Sequence, residues 1–318
     1  MEAKLEDDRE IEHDWSPYLI IYKDGSVKRL DGYGVVPPLQ SSCEVSSKDA
    51  VYSPELGLRC RIFIPPAVDP GKKLPLLVYY HGGRFCLESP FSPLFHNFAV
   101  NLCKEATVVI VSVEYRLAPE HVLPAAYEDS WSALKWVASH AGGDGSEEWL
   151  NSYADFSKVF LAGDSAGGNI CHHMISRSGR EKMTGIDIVG AVLIHPFFWG
   201  KEPVGDETTA PEVRKFVEGV WKVVSPVSDG CDHAWINPQM DPCFGSLSCK
   251  KIMVIVAEHD VLKHRGLHYC NKIKDGGWDG EVELMENDGE HHVFHLKNSH
   301  SDKAVAMLKR IAAFISGN

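Results

Sequence analysis

Val159-Phe160-Leu161-Ala162-Gly163-Asp164-Ser165-Ala166-Gly167-Gly168-Asn169 is the stretch that organises the rest of the chain. Its first four apolar residues read as a buried strand and Ile170 to Ser176 read as a helix, so a sharp strand-to-helix turn lies between them. A serine in such a turn is pushed out past the end of a sheet. The flanking glycines permit the tight backbone, and the helix N-terminus behind the serine favours developing negative charge. Gly-x-Ser-x-Gly alone is a weak signal because glycine and serine are common residues; the strand before it and the helix after it give it weight.

Outward from this turn, short apolar runs recur: Leu74 to Tyr80, Thr107 to Val113, Lys158 to Ala162, Val189 to Ile194 and Ile252 to Ala257. Each predicts a buried central strand. Tyr127, Trp131, Leu134 and Ala138 stand at helical spacing behind Pro124, and Val305, Leu308, Ala312 and Ile315 do so behind Ser301. Strand-helix alternation of this kind predicts an α/β fold, a mostly parallel central sheet with helices on both faces. With 318 residues, 44% of them hydrophobic, the chain can bury one large core, and a single domain over 1–318 is expected. Two regions depart from the alternation. Residues 1 to about 40 are acidic and proline-containing apart from a short pair of runs around the turn Lys23-Asp24-Gly25. Residues from about 197 to 237 carry Phe197, Phe198, Trp199, Trp221, Pro226 and Trp235 in a stretch longer than an ordinary connection. Both are expected to lie over the core as a cap.

A net charge of −12 supplies no basic field for phosphates, so nucleic acid and anionic membrane surfaces are excluded as expected partners, and a small molecule is favoured. No apolar run is long enough to cross a bilayer. The nine cysteines are odd in number and never spaced Cys-x-x-Cys, which indicates neither a disulfide framework nor a zinc ribbon. The acidic segment MEAKLEDDREIEHDW reads as neither a secretory signal nor an Arg-rich transit peptide. A reducing, cytoplasmic setting is the expectation.

A serine hydroxyl is a poor nucleophile until a base removes its proton and a third group orients that base. Glu258-His259-Asp260 follows the run ending at Ala257, and Gly289-Glu290-His291-His292-Val293-Phe294-His295 follows Glu281 to Met285. Both lie where loops converge on the active edge of an open sheet. Asp260 is favoured over Glu258 as the acid because it stands past the apolar run, in the loop. His291, His292 and His295 all remain candidates for the base on this reading. A metal site is not expected, since no His-Glu-x-x-His occurs and no carboxylate or cysteine falls at ligand spacing. Oxyanion donors are expected from the loop His81-Gly82-Gly83-Arg84-Phe85, through the N–H groups of Gly82, Gly83 and Arg84, and from the N–H of Ala166 after the nucleophile.

The segments HGGRFCLESPFSP (81–93), VSVEYRLAPEHVLPAAYEDSWSALKW (111–136), ADFSKVFLAGDSAGGNI (154–170), HPFFWG (195–200), VAEHDVL (256–262) and GEHHVFHL (289–296) together resemble the plant carboxylesterase family, in the hormone-sensitive-lipase-like branch of the α/β hydrolases. The resemblance extends to YLIIYKDGSVKRL and VSSKDAVY, hence over nearly the whole chain. It implies an eight-stranded sheet with a helical cap drawn from the N-terminus and the mid-chain insertion. It also implies a triad of Ser165, Asp260 and His292, and ester hydrolysis without a cofactor. The family's His-Gly-Gly-Gly loop maps onto His81 to Arg84, so this chain carries Arg84 where the family has a third glycine. Its guanidinium has two readings, a pair with Glu88 or a hold on a substrate carboxylate. Arg116, Glu120 and Asp129 are expected to fix a buried loop through charged hydrogen bonds.

The function this implies is a carboxylesterase acting on small to medium carboxylic esters of plant specialised metabolites. Two other outcomes exist on the same scaffold. Relatives include a hydroxyisoflavanone dehydratase and alkaloid cyclases, in which hydrolysis is replaced; the dehydratase pattern often has Thr at the nucleophile, and Ser165 points back to hydrolysis. The gibberellin receptor resembles the family but has lost its triad histidine, and the presence of His292 points away from a receptor.

Overall fold

The computed structural model describes residues 9–317, apart from 33, 41–43, 67, 69 and 70. Its first element is a three-stranded antiparallel sheet of β1 (Ile11–Trp15), β2 (Leu19–Tyr22) and β3 (Val27–Arg29). Leu19 and Ile21 alternate into the core while the turn Lys23-Asp24-Gly25 faces water, with Gly25 at φ +82°. The described N-terminal part of the cap is therefore β-structure, and its helical part comes from elsewhere.

Next come β4 (Ser46–Ser53), β5 (Leu58–Ile64), β6 (Leu74–Tyr80), α1 (Pro93–Ala106), β7 (Val109–Val113), α2 (Ala125–Ala138), α3 (Glu148–Tyr153) and β8 (Ala154–Asp164). They are followed by α4 (Ala166–Glu181), β9 (Ile188–Ile194), α5 (Pro211–Val224), β10 (Lys251–Ala257), α6 (Lys263–Asp275), β11 (Glu281–Asn287), α7 (Phe294–Lys297) and α8 (Asp302–Ser316). The main sheet has eight strands in the order β11-β10-β9-β8-β6-β7-β5-β4. Neighbours from β11 to β7 run parallel, and β5 and β4 join antiparallel at the edge. The order reverses around β8 and β6, so the loops leaving these two strands open onto the crevice where such sheets bind ligands.

Both sheet faces are covered because the central strands alternate apolar side chains to either side. Leu76, Val78 and Tyr80 of β6 and Ile252, Val254 and Val256 of β10 pack against α2, α4 and α6. Leu77 and Tyr79, with Met253 and Ile255, pack against α1 and α8 on the other face. Each fully buried aliphatic side chain contributes about 1.5–3 kcal/mol, and a one-residue slip would exchange the two sets, so the register is strongly specified.

Three sequence expectations shift. The run beginning at Thr107 enters the sheet only at Val109, because Thr107 closes α1 in the left-handed region at φ +49°. Strands β4 and β5, not anticipated, form the polar-flanked antiparallel edge. In α8 the core-facing side is Ala304, Met307, Ile311 and Ile315, while Val305 is 37% exposed. Both faces of that helix carry apolar residues, and the one bearing Met307 and Ile311 meets the sheet.

The segment from 197 to 237 contains α5, whose Val217, Val220 and Trp221 are buried. Trp199 and Trp221 are core-packing residues. Just before α5, Glu207 is buried between Arg265 of α6, at 2.9 Å through both carboxylate oxygens, and Arg214 of α5. This pairing ties the insertion to the main domain.

Candidate active site

Ser165 stands between β8 and α4 at φ +52°, ψ −116°, a strained conformation for a residue with a Cβ. The flanking glycines are required by close approach. A Cβ on Gly163 would lie 2.2 Å from the Gly167 carbonyl oxygen, and one on Gly167 would lie 1.9 Å from that of Tyr80. Although Ser165 is the N-cap of α4, its side chain makes no cap hydrogen bond. Its Oγ lies 3.0 Å from His292 Nε2 instead, and His292 Nδ1 lies 2.6 Å from Asp260 Oδ2. Leaving the helix start uncapped keeps its amides, that of Ala166 first among them, without an intrahelical acceptor.

The candidate acid and base arrive on the loops after β10 and β11, which pair in parallel. Asp260 is buried and also accepts the Leu262 amide at 3.0 Å. Burial works against its charge, but His292, its hydrogen bond, the nearby His195 and the Leu262 amide outweigh it and hold the carboxyl below its ordinary value. Glu258 is turned outward and accepts the Gly289 amide. Of the three histidines in the last loop, His292 bridges Ser165 and Asp260. His291 is exposed beside His259, with ring centroids 5.1 Å apart, and His295 is buried against Phe98.

The loop after β6 carries the remaining candidates. Gly83 has φ +105°, and Arg84, Phe85 and Glu88 are also left-handed, at +58°, +61° and +72°. The Gly83 carbonyl accepts the amides of Cys86 and Leu87, both at 2.9 Å. Since a trans peptide sets its N–H opposite its C=O, the Arg84 N–H points away from that turn. Gly83 and Arg84 line a cavity that reaches Ser165 and His292. Gly82 is not among the residues lining that cavity, and a Cβ there would lie 2.3 Å from Asp164 Oδ2. Of the two readings of the Arg84 guanidinium, the pair with Glu88 is not formed. The Arg84 guanidinium stacks on the Tyr18 ring at 4.0 Å, with Phe216 of α5 at 5.9 Å, and Glu88 Oε2 is buried without a partner.

Tyr79, Tyr115, His195 and Arg29 support the site although no sequence signal singled them out, whereas Arg116, Glu120 and Asp129 were expected to hold a loop. Tyr79 donates to buried Asp164 at 2.6 Å, and burial nonetheless pushes the Asp164 carboxyl up to about 7. His81 stacks on Tyr115 at 4.2 Å, and the Tyr115 hydroxyl donates to the His81 carbonyl at 2.7 Å. Burial lowers His81 to about 4 and His195 to about 3, so both rings are neutral. Arg116 grips buried Asp129 through two side-chain bonds of 2.8 Å, and Glu120 pairs with Arg29 of β3 through two of 2.7 Å. Arg29 also donates to the Cys86 carbonyl at 2.7 Å, joining the N-terminal sheet to the loop that carries Arg84.

His195, Asp260 and His292 offer atoms within 4.8 Å of one another, close enough for a metal among the described residues. Their hydrogen bonds oppose it. His195 Nδ1 accepts the Val293 amide at 3.0 Å, which leaves the proton on Nε2, and both His292 nitrogens face Asp260 and Ser165. A cavity of about 510 Å³ opens over Ser165, Asp260 and His292, with Phe197, Val213, Phe216, Val217, Val220 and Leu262 in its walls. No helix of the described residues is long and apolar enough to cross a membrane.

A family model described as alpha/beta hydrolase fold matches residues 77–296. Probable carboxylesterase 4, mitochondrial, of Arabidopsis thaliana is 48% identical over 97% of this chain and 84% of its own length. Probable carboxylesterase 13 of the same plant is 47% identical over 98% and 99%. Tuliposide A-converting enzyme 2, chloroplastic, of Tulipa gesneriana is 42% identical over 98% and 80%. Among solved structures, a hyperthermophilic esterase from Pyrobaculum calidifontis is similar with a TM-score of 0.69 and 28% identity, covering 85% of each chain. By its sheet, its family model and its relatives, the chain belongs to the α/β-hydrolase fold family and, within it, to the plant carboxylesterases.

Proposed function

We propose that the protein hydrolyses small to medium carboxylic esters through a Ser165–His292–Asp260 triad. The observation that carries this reading is the unbroken chain from Ser165 Oγ to His292 Nε2 at 3.0 Å and from His292 Nδ1 to Asp260 Oδ2 at 2.6 Å. His292 Nε2 takes the hydroxyl proton as Ser165 Oγ attacks the acyl carbon. Asp260, held ionised, keeps the Nδ1 proton in place and stabilises the imidazolium that forms. The amides of Gly83, Arg84 and Ala166 receive the negative oxygen, each donor being worth about 3 kcal/mol in the transition state. When the tetrahedral adduct collapses, the carbon–oxygen bond to the alcohol breaks and His292 returns the proton to the departing alkoxide. Water then enters with His292 again as base, the acyl–serine bond breaks, and the carboxylic acid leaves.

The cavity of about 510 Å³ and its aliphatic and phenyl lining suit a compact, partly apolar ester, and we take plant specialised metabolites as the substrate pool. Eight described cysteines, Cys60 to Cys270, are free thiols, which supports a reducing compartment such as the cytoplasm. The test is turnover of a short p-nitrophenyl ester by wild type and Ser165→Ala, with a covalent serine-directed probe. Ser165 is the residue expected to be labelled, and full turnover by the variant would defeat the reading. An acyl and alcohol panel then ranks substrates.

A further inference from the structure

We propose that the esters this site prefers carry a free carboxylate, held by Arg84 and Lys297. The inference rests on the esterase reading above. Two cavities meet at the triad, one beneath α5 and one beneath the N-terminal sheet, and the side chains that line both are Arg84, Ser165, His292 and Lys297. In a chain of net charge −12, the nucleophile and its base are thus flanked at the junction by two cations. Among the described residues neither forms an ion pair. The acidic groups in the same walls are set to one side or the other: Glu212 lines only the first cavity, and Asp31, Glu88 and Asp164 only the second, Asp164 accepting the Tyr79 hydroxyl. Asp260 is engaged by His292.

The way Arg84 is held matters as much as its charge. Its guanidinium carbon lies over the Tyr18 ring, 4.0 Å from the centroid, and 5.9 Å from that of Phe216. A cation held by aromatic rings keeps its N–H donors unsatisfied by any acceptor oxygen, and their fork matches a carboxylate. The backbone places it there deliberately, since Arg84 adopts φ +58° where a glycine would be unstrained. A cation serving only as a latch between Tyr18 and Phe216 would have no need of a second unpaired cation, Lys297, at the same junction. Arg84 is half-buried and Lys297 exposed, so the pair stands at the mouth where the two cavities meet, and water screens Arg84 less than Lys297.

Two matched pairs of esters locate the carboxylate. Mono-p-nitrophenyl adipate against p-nitrophenyl hexanoate places it on the acyl half. Para-acetoxybenzoate against para-acetoxybenzamide places it on the alcohol half. The quantity read is the ratio of kcat/KM for the anionic ester to that for its neutral partner. Wild type is expected to favour the anion in at least one pair, and Arg84→Gln or Lys297→Gln to lower that ratio about tenfold. Raising salt should lower the wild-type ratio as well. A wild-type preference for the neutral ester in both pairs, or a ratio untouched by both substitutions, would overturn the proposal. Calorimetric titration of adipate into Ser165→Ala reads the same site without turnover. Binding about tenfold weaker when Arg84→Gln is added supports the proposal, and equal binding overturns it. If neither the acidic nor the neutral esters turn over, the esterase reading fails on its own account while the titration still decides this one.

Discussion

Two loops leave neighbouring central strands, β8 and β6, and each holds a non-glycine residue in the left-handed region: Ser165 at φ +52° and Arg84 at φ +58°. Their constraints differ. The Ser165 turn is gripped by backbone, with the Gly167 carbonyl 2.2 Å from any Cβ at 163 and the Tyr80 carbonyl 1.9 Å from any at 167. The Arg84 loop has backbone closure too, the Gly83 carbonyl accepting the Cys86 and Leu87 amides, but is held in addition by remote side chains: Tyr18 at its guanidinium, Tyr115 against His81, and Arg29 on the Cys86 carbonyl. A turn closed by its own backbone depends on a handful of adjacent residues, whereas a turn closed by its surroundings can vary in sequence and take its chemistry from the cap.

The largest test of this contrast is at the backbone-gripped turn itself. Ser165→Ala should lower ester kcat by about a millionfold and Asp260→Asn by about ten-thousandfold, measured with a short p-nitrophenyl ester. Losses below about a hundredfold would mean that these residues do not act as a triad. Gly167→Ala comes next. With no room for the methyl group, urea unfolding should show a loss of about 3 kcal/mol or failure to accumulate folded protein, and a change under about 0.5 kcal/mol would break the account of why glycine stands there. Arg29→Ala probes the other loop. Its pairing with Glu120 is partly exposed, so the stability loss should stay near 1 kcal/mol, but its bond to the Cys86 carbonyl predicts a fall in kcat/KM larger than that loss implies. An unchanged kcat/KM would mean the cap does not position the loop.

A pH-dependent test concerns Asp164, which precedes Ser165 and accepts the Tyr79 hydroxyl of β6. Burial keeps its carboxyl protonated in the folded chain up to about pH 7, whereas the unfolded chain releases that proton near the ordinary aspartate value. The folded state therefore binds more protons in this window, and the stability this group contributes falls as pH rises towards 7 and is level above it. Asp164→Asn should remove that fall, so the difference in urea midpoint between variant and wild type should grow in the variant's favour from pH 5 to 7 and then hold constant. A difference independent of pH would contradict the buried, protonated state.

Much of the fold was legible because its central strands are continuous apolar runs. Leu74–Tyr80 appears in the sheet with the bounds read from the chain. The antiparallel edge was not legible, since Ser46–Ser53 alternates polar residues that need β5 beside them to become a strand. At the site, Asp260 and His292 were found as loop residues past apolar strands, but the choice of His292 over His291 and His295 came from family pattern alone. Nothing local separates three histidines within five positions. For Arg84 a pair with Glu88 and a hold on a substrate carboxylate were both open, and its contact with the Tyr18 ring carried no sequence signal because the two residues are more than sixty positions apart.

By itself, then, the sequence determined the parallel core, the turn at Ser165 and the loops from which acid and base must come, because hydrophobic periodicity and steric demands on glycine are local. Only the tertiary structure decided which histidine meets Ser165, and that Arg84 and Lys297 stand beside Ser165 without ion-pair partners among the described residues. Those outcomes depend on groups more than a hundred residues apart being brought within hydrogen-bonding distance, as His292 is to Ser165 at 3.0 Å, and no local pattern encodes such a distance.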